Sequence, residues 1–157
     1  MIPVDVSTAA GKPSRAESRT LRRSLLGLLI VLAVEESLGS GVNLYITTPK
    51  SAQGAGVFTA FGKAISDGGP ALALHAVIGA LVTLGAISAV VQAVRVRHWP
   101  AIGACTLGLA CLLGAFAAGA SFVGDTTSGA SMAMAVLTGA AVIIYLLAYS
   151  NVATARD

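Results

Sequence analysis

The side chains with chemistry to offer are few, and they stand in apolar surroundings. Glu35 and Glu36 fall near the middle of an apolar stretch from Leu25 to Ile46, and His75 falls about one turn inside a second such stretch. An acidic residue at the centre of a membrane helix costs roughly 2.5–3.5 kcal/mol. Such a pair must be shielded by protein or water, or give up its charge. At about 100° per residue, Glu36, Ser40 and Asn43 share one helical stripe, and Gly27, Val31, Glu35 and Gly39 form the next. The first stripe is polar and suits a cavity. The glycines of the second let another helix come close. One glutamate is therefore expected in a tight helix contact and the other at a polar cavity, as an ion, proton or ligand site. The competing reading is two protonated carboxyls that act only as packing glue.

A rise of about 1.5 Å per residue sets His75 at the level of Gly41, with Met132 and Met134 facing it near the start of the last apolar stretch. Asn43, Tyr45 and His75 are expected at the mouth of the cavity. Glu36 lies about 8 Å deeper than His75 by the same rise, so direct contact needs a tilted helix or a bridging water. Imidazole and thioether both serve as axial ligands of a b-type haem, which makes His75 with Met132 or Met134 a haem-ligand candidate set. Methionine otherwise fills gaps in a core. A bis-imidazole site has no second embedded histidine, because His98 lies at the opposite boundary beside Trp99-Pro100. Cys105 and Cys111 differ in direction by about 120° on one helix and cannot pair there. They read as small buried residues. No Ser/His/Asp arrangement and no metal-ligand spacing is present, so no catalytic residue and no metal site is assigned.

These residues need elements to position them, and composition dictates the kind. Of 157 residues, 55% are hydrophobic and only 11% charged, too apolar for an ordinary soluble domain. Four stretches, at about 24–46, 71–94, 101–123 and 128–150, each match a hydrocarbon core of about 30 Å. The expected architecture is an all-α integral membrane four-helix bundle spanning 24–150. Residues 1–23 are expected to be a flexible basic tail and an uncleaved start, and 151–157 a short tail. Arg15, Arg19, Arg22 and Arg23 precede the first span, and Arg95, Arg97 and His98 separate the second from the third. The positive-inside rule sets both ends in the cytoplasm, and the expected location is a bacterial plasma membrane. The net charge of +3 is explained by that topology and calls for no nucleic acid. In the first outer loop, Val57, Phe58, Phe61 and Ile65 recur at helical spacing and predict a short interfacial helix over the cavity mouth. Ala110, Gly114 and Ala118, with Ala135 and Gly139, predict helix-association faces within the bundle or between subunits.

Glu35 through Gly39, Asn43-Leu44-Tyr45 followed by Pro49, Gly69-Pro70-Ala71-Leu72 leading to His75, and Ser131 through Ala135 together carry a resemblance. Over most of 24–149 the chain resembles a group of small four-span membrane proteins common in high-GC Gram-positive bacteria. The resemblance implies the four-span topology and marks the outer-leaflet polar cluster, and it transfers no activity. Three functional classes follow from the residues. The first is a non-enzymatic accessory subunit or ligand-binding component, in the lipid bilayer as a homo-oligomer or part of a larger membrane complex. The second is b-type haem binding and electron transfer through His75. The third is proton-coupled transport through Glu35 or Glu36.

Overall fold

The computed structural model describes residues 15–154. Its elements are α1 (Arg15–Tyr45), a 3-10 turn (Lys50–Ala52), α2 (Val57–Asp67), α3 (Gly69–Val96), α4 (Trp99–Asp125) and α5 (Ser128–Thr154). No strand occurs among the described residues. Helices α1, α3, α4 and α5 are long and apolar enough to cross a membrane. Their outward surfaces are apolar as well, with Leu81, Leu84, Ile143 and Leu147 more than half exposed. A bundle that turns leucine and isoleucine outward along all its length suits lipid as solvent. The chain is a polytopic membrane protein with an all-helical fold.

Helix α1 starts well before the expected first span. Leu21, Leu25, Leu28 and Leu32 recur at spacings of four, three and four, and all are buried, so one packing stripe carries the helix through the basic segment. The expected flexible tail to residue 23 is thus corrected: residues 15–23 are helical, and 1–14 lie outside the described residues. Arg22 donates to the Tyr149 hydroxyl at 3.0 Å, with its guanidinium 5.0 Å from the ring centroid. Ser24 donates to Gln92 Oε1 at 3.0 Å. These contacts tie the start of α1 to α5 and to the end of α3.

Local sequence sets the other helix ends. Pro70 falls in the first turn of α3, where the missing N–H costs nothing. Arg97 closes α3 in a left-handed conformation, its N–H returning to the Val94 carbonyl. His98 then caps α4, its Nδ1 accepting from the Ala101 N–H at 3.2 Å. That role accounts for the second histidine.

The four long helices form a closed ring in which α1 meets α3, α3 meets α4, α4 meets α5, and α5 returns to α1; α2 lies across α3 and α4 at one end. The apolar interior divides in two. The larger core joins Leu21–Leu32 of α1 to Val82–Val96, Ala101–Leu112 and Ala141–Val152 at the arginine-rich end. The smaller joins Val42, Leu72, Ala120 and Val123 beneath Ala52, Ala60 and Ala64 at the α2 end. Phe61 of α2 leans on Phe116 of α4 with ring centroids 5.1 Å apart, while Phe58 is 84% exposed. The expected stripe Val57–Phe58–Phe61–Ile65 is therefore split, because the small Ala60 and Ala64 fit the close approach to the bundle. Asp67 at the end of α2 accepts from Ser51 and Lys63. Hydrogen bonds from Ser51, then Ser66 and Lys63, hold its carboxyl at about 2, below its ordinary 3.8.

Helices α4 and α5 fit by alternating glycine with bulk. A Cβ on Gly108 would stand 2.6 Å from Tyr145 Cζ, and one on Gly119 would stand 2.9 Å from Met134 Sδ. Gly114, on the expected small-residue face, receives Leu137, but Ala110 of that series is exposed. Cys105 is buried, Cys111 is half-buried, and both are free thiols. Tyr145 is the largest fully buried side chain, and its hydroxyl makes a long 3.4 Å bond to the Cys105 carbonyl. Tyr145→Ala is expected to cost about 3–5 kcal/mol, the range for emptying a large aromatic from a core. Tyr145→Phe should cost about 1 kcal/mol or less. Unfolding of the purified protein in mixed micelles by SDS titration measures both.

Candidate ligand site between the two cores

Between the two cores, α1 and α3 bring polar groups into the interior of the bundle. Glu35 on α1 is only 6% exposed. Its Oε1 lies 2.8 Å from Nδ1 of His75 on α3. The contact is close but not in line: neither His75 Nδ1 nor Glu35 Oε2 has a hydrogen-bond partner among the described residues. A buried carboxyl oxygen without a donor is costly, which sets this pair apart from every other polar contact in the fold.

Glycine makes the pair fit. A Cβ on Gly39 of α1 would stand 2.9 Å from His75 Cε1, and a Cβ on Gly79 of α3 would stand 3.1 Å from Glu35 Oε1. Each helix thus carries a polar residue and, four positions later, a glycine, and each polar side chain lies over the other helix's glycine. Residue numbers rise along α1 as they fall along α3, so the two are antiparallel. The Ser24–Gln92 bond keeps the same register three turns away.

Around the pair lies a cavity of about 170 Å³. Glu35, Glu36, His75, Thr83 and Thr138 give it a polar wall, Phe61, Phe116 and Phe122 an aromatic one, and aliphatic side chains from all five helices the remainder. Among the lining residues only Ser40, Asn43 and Ala135 are exposed, and they border the seam between α1 and α5. The cavity therefore reaches the surface sideways at that seam, toward the α2 end of the bundle. Asn43 Oδ1 accepts from Ser131 Oγ at 2.9 Å and bridges the end of the seam nearest α2.

Glu35 takes the tight helix contact and also lines the cavity, which half-buried Glu36 shares. The histidine, however, pairs with Glu35 and not with Glu36. His75 sits against Gly39, about 3 Å deeper than the Gly41 level read from the sequence. Ser40 and Asn43 line the cavity as expected. Tyr45 does not join them, because it is 83% exposed at the end of α1. Met134 lines the cavity with its sulfur over Gly119, whereas Met132 is 71% exposed and points away. Among the described residues no group of three or more His, Cys, Asp or Glu side chains could hold a metal ion. Gly79, Thr83, Thr138, Phe61 and Phe116 were not expected in the site. For Gly79 a signal exists, since His75–Gly79 repeats the Glu35–Gly39 spacing on the partner helix. Comparison with protein-family models, curated proteins and solved structures finds no match. The function is read from this geometry.

A methyl group at Gly39 would drive into the His75 ring, whereas one at Gly79 would meet only the end of the Glu35 side chain at 3.1 Å. Gly39→Ala is expected to lose about 1–3 kcal/mol of stability, the usual penalty for overpacking, and Gly79→Ala less. Gly41→Ala, whose Cβ would meet open space, should hold or gain up to about 1 kcal/mol through helix propensity. SDS-induced unfolding of the three variants side by side checks the contrast.

Proposed function

We propose that this chain is a non-enzymatic ligand-binding component of a bacterial plasma membrane, and that the Glu35–His75 cavity is where its ligand sits. One observation carries the reading: in a carboxyl that is 94% buried, Oε2 has no hydrogen-bond partner among the described residues, and Glu35 lines a side-opening cavity. An ionisable group inside a membrane bundle is by default a functional group, and an orphaned one is completed by something that enters from outside. Nothing in the cavity supplies a nucleophile with a paired base, so binding, and not bond cleavage, is the chemistry this arrangement supports. The orientation with both termini in the cytoplasm rests on Arg19, Arg22, Arg23, Arg95 and Arg97 at the end opposite α2. That orientation sets the cavity in the outer half of the bilayer, under an interfacial α2.

Protein purified from its native membrane in mild detergent is expected to carry a small-molecule adduct in native mass spectrometry. The adduct should fall at least about tenfold in occupancy in Glu35→Gln and His75→Ala, the loss expected for removing a charged hydrogen-bond partner. An adduct of equal occupancy in all three proteins, or bare protein in every preparation, contradicts the proposal.

A further inference from the structure

The charge and shape of the cavity specify the class of molecule, given that it is a ligand site. We propose that it takes a small lipophilic organic cation, an ammonium group carrying about one aromatic ring of apolar body, which enters from the bilayer through the α1–α5 seam. This inference rests on the preceding reading and narrows it.

Three observations converge. The first is charge. The titratable groups facing the cavity are Glu35 and Glu36 from α1 and His75 from α3; α2, α4 and α5 contribute none, and no Lys or Arg lines it. One protonated imidazole can balance one carboxylate, and the second carboxylate is left without a counter-charge. An anionic ligand would meet two carboxyls and no fixed cation, an arrangement that low-dielectric surroundings penalise heavily. The second is hydrogen bonding. Of the two unpartnered buried atoms, His75 Nδ1 already lies against Glu35 Oε1, whereas Glu35 Oε2 meets no donor among the described residues; a ligand that completes Oε2 as a carboxylate brings an N–H or O–H donor, and a charged donor forms the stronger bond. The third is shape and route. The cavity of about 170 Å³ is close to the roughly 150 Å³ that accepts a benzene ring. Its aromatic wall includes Phe61 and Phe116, whose ring faces attract cations. The opening beside Ser40 and Ala135 lies in the apolar outer surface, so what arrives there is soluble in lipid.

Benzylammonium, benzyl alcohol and benzoate form a matched series of positive, neutral and negative probes of nearly one size. Titrated into the wild-type protein in nanodiscs and followed by thermal unfolding, benzylammonium should stabilise it. Benzyl alcohol should bind at least about tenfold more weakly, and benzoate should not bind. Glu35→Gln should lose most of the benzylammonium affinity, Glu36→Gln part of it, and Phe58→Ala, on the exposed side of α2, none. The probe series on wild-type protein decides the matter even if a glutamate variant fails to fold. Benzyl alcohol binding as tightly as benzylammonium, with both lost in His75→Ala, overturns the cation class and leaves the ligand-site reading standing. Stabilisation by none of the three probes overturns the cation proposal, and a protein that also carries no native adduct overturns the ligand-site reading with it.

Discussion

The bundle is organised around the place where α1 and α3 press together through glycine. Close approach of two helices strips water from whatever lies between them, and here that includes a carboxyl and an imidazole. The reciprocal fit of Glu35 over Gly79 and His75 over Gly39 settles two things at once. It fixes the antiparallel register of the two helices. It holds two long polar side chains in set positions. The cavity lies beside the pair. It lies between a core that begins at Leu32 and one that begins at Val42.

The two cores differ in kind because they face different tasks. At the arginine-rich end, leucines of α1 and Tyr145 of α5 interlock with alanine and glycine on their neighbours, a close-packed arrangement that gains dispersion contacts in a solvent offering little hydrophobic drive. At the other end, small side chains of α2 and the 3-10 turn cover the bundle, clipped by the Asp67 carboxylate to Ser51 and Lys63. Rigid below and capped above, the site varies only at its side, where Ser40, Asn43 and Ala135 border the seam. The proposed ligand would reach Glu35 along that route without disturbing either core.

Much of this was legible in the sequence, and the reasons differ by residue. Span number follows from apolar length alone, so the four long helices were expected. The cost of a carboxylate in hydrocarbon singled out Glu35 and Glu36, and both line the cavity. Depth reckoning from span ends brought His75 to within about half a turn of its true partner level, but it could not choose between Glu35 and Glu36. That choice depends on where α3 carries its own glycine, and Gly79 is informative only when the two helices are read together. Phe61, Phe116, Thr83 and Thr138 reach the cavity through tertiary packing that no local pattern encodes. The start of α1 was misjudged because arginines dominate its composition, although Leu21 and Leu25 already continue the buried stripe. Met132 and Met134 were indistinguishable by depth, and two residues of helical rotation send one into the cavity and the other outward.

The account stands or falls on a direct interaction between Glu35 and His75 inside the bundle. A double-mutant cycle built from Glu35→Gln, His75→Ala and the double variant, read as unfolding free energy in mixed micelles, measures it. Coupled side chains in contact predict an interaction energy of at least about 0.5 kcal/mol, up to about 3 kcal/mol. Single-variant effects that add to within about 0.3 kcal/mol would contradict the pairing and the site built on it.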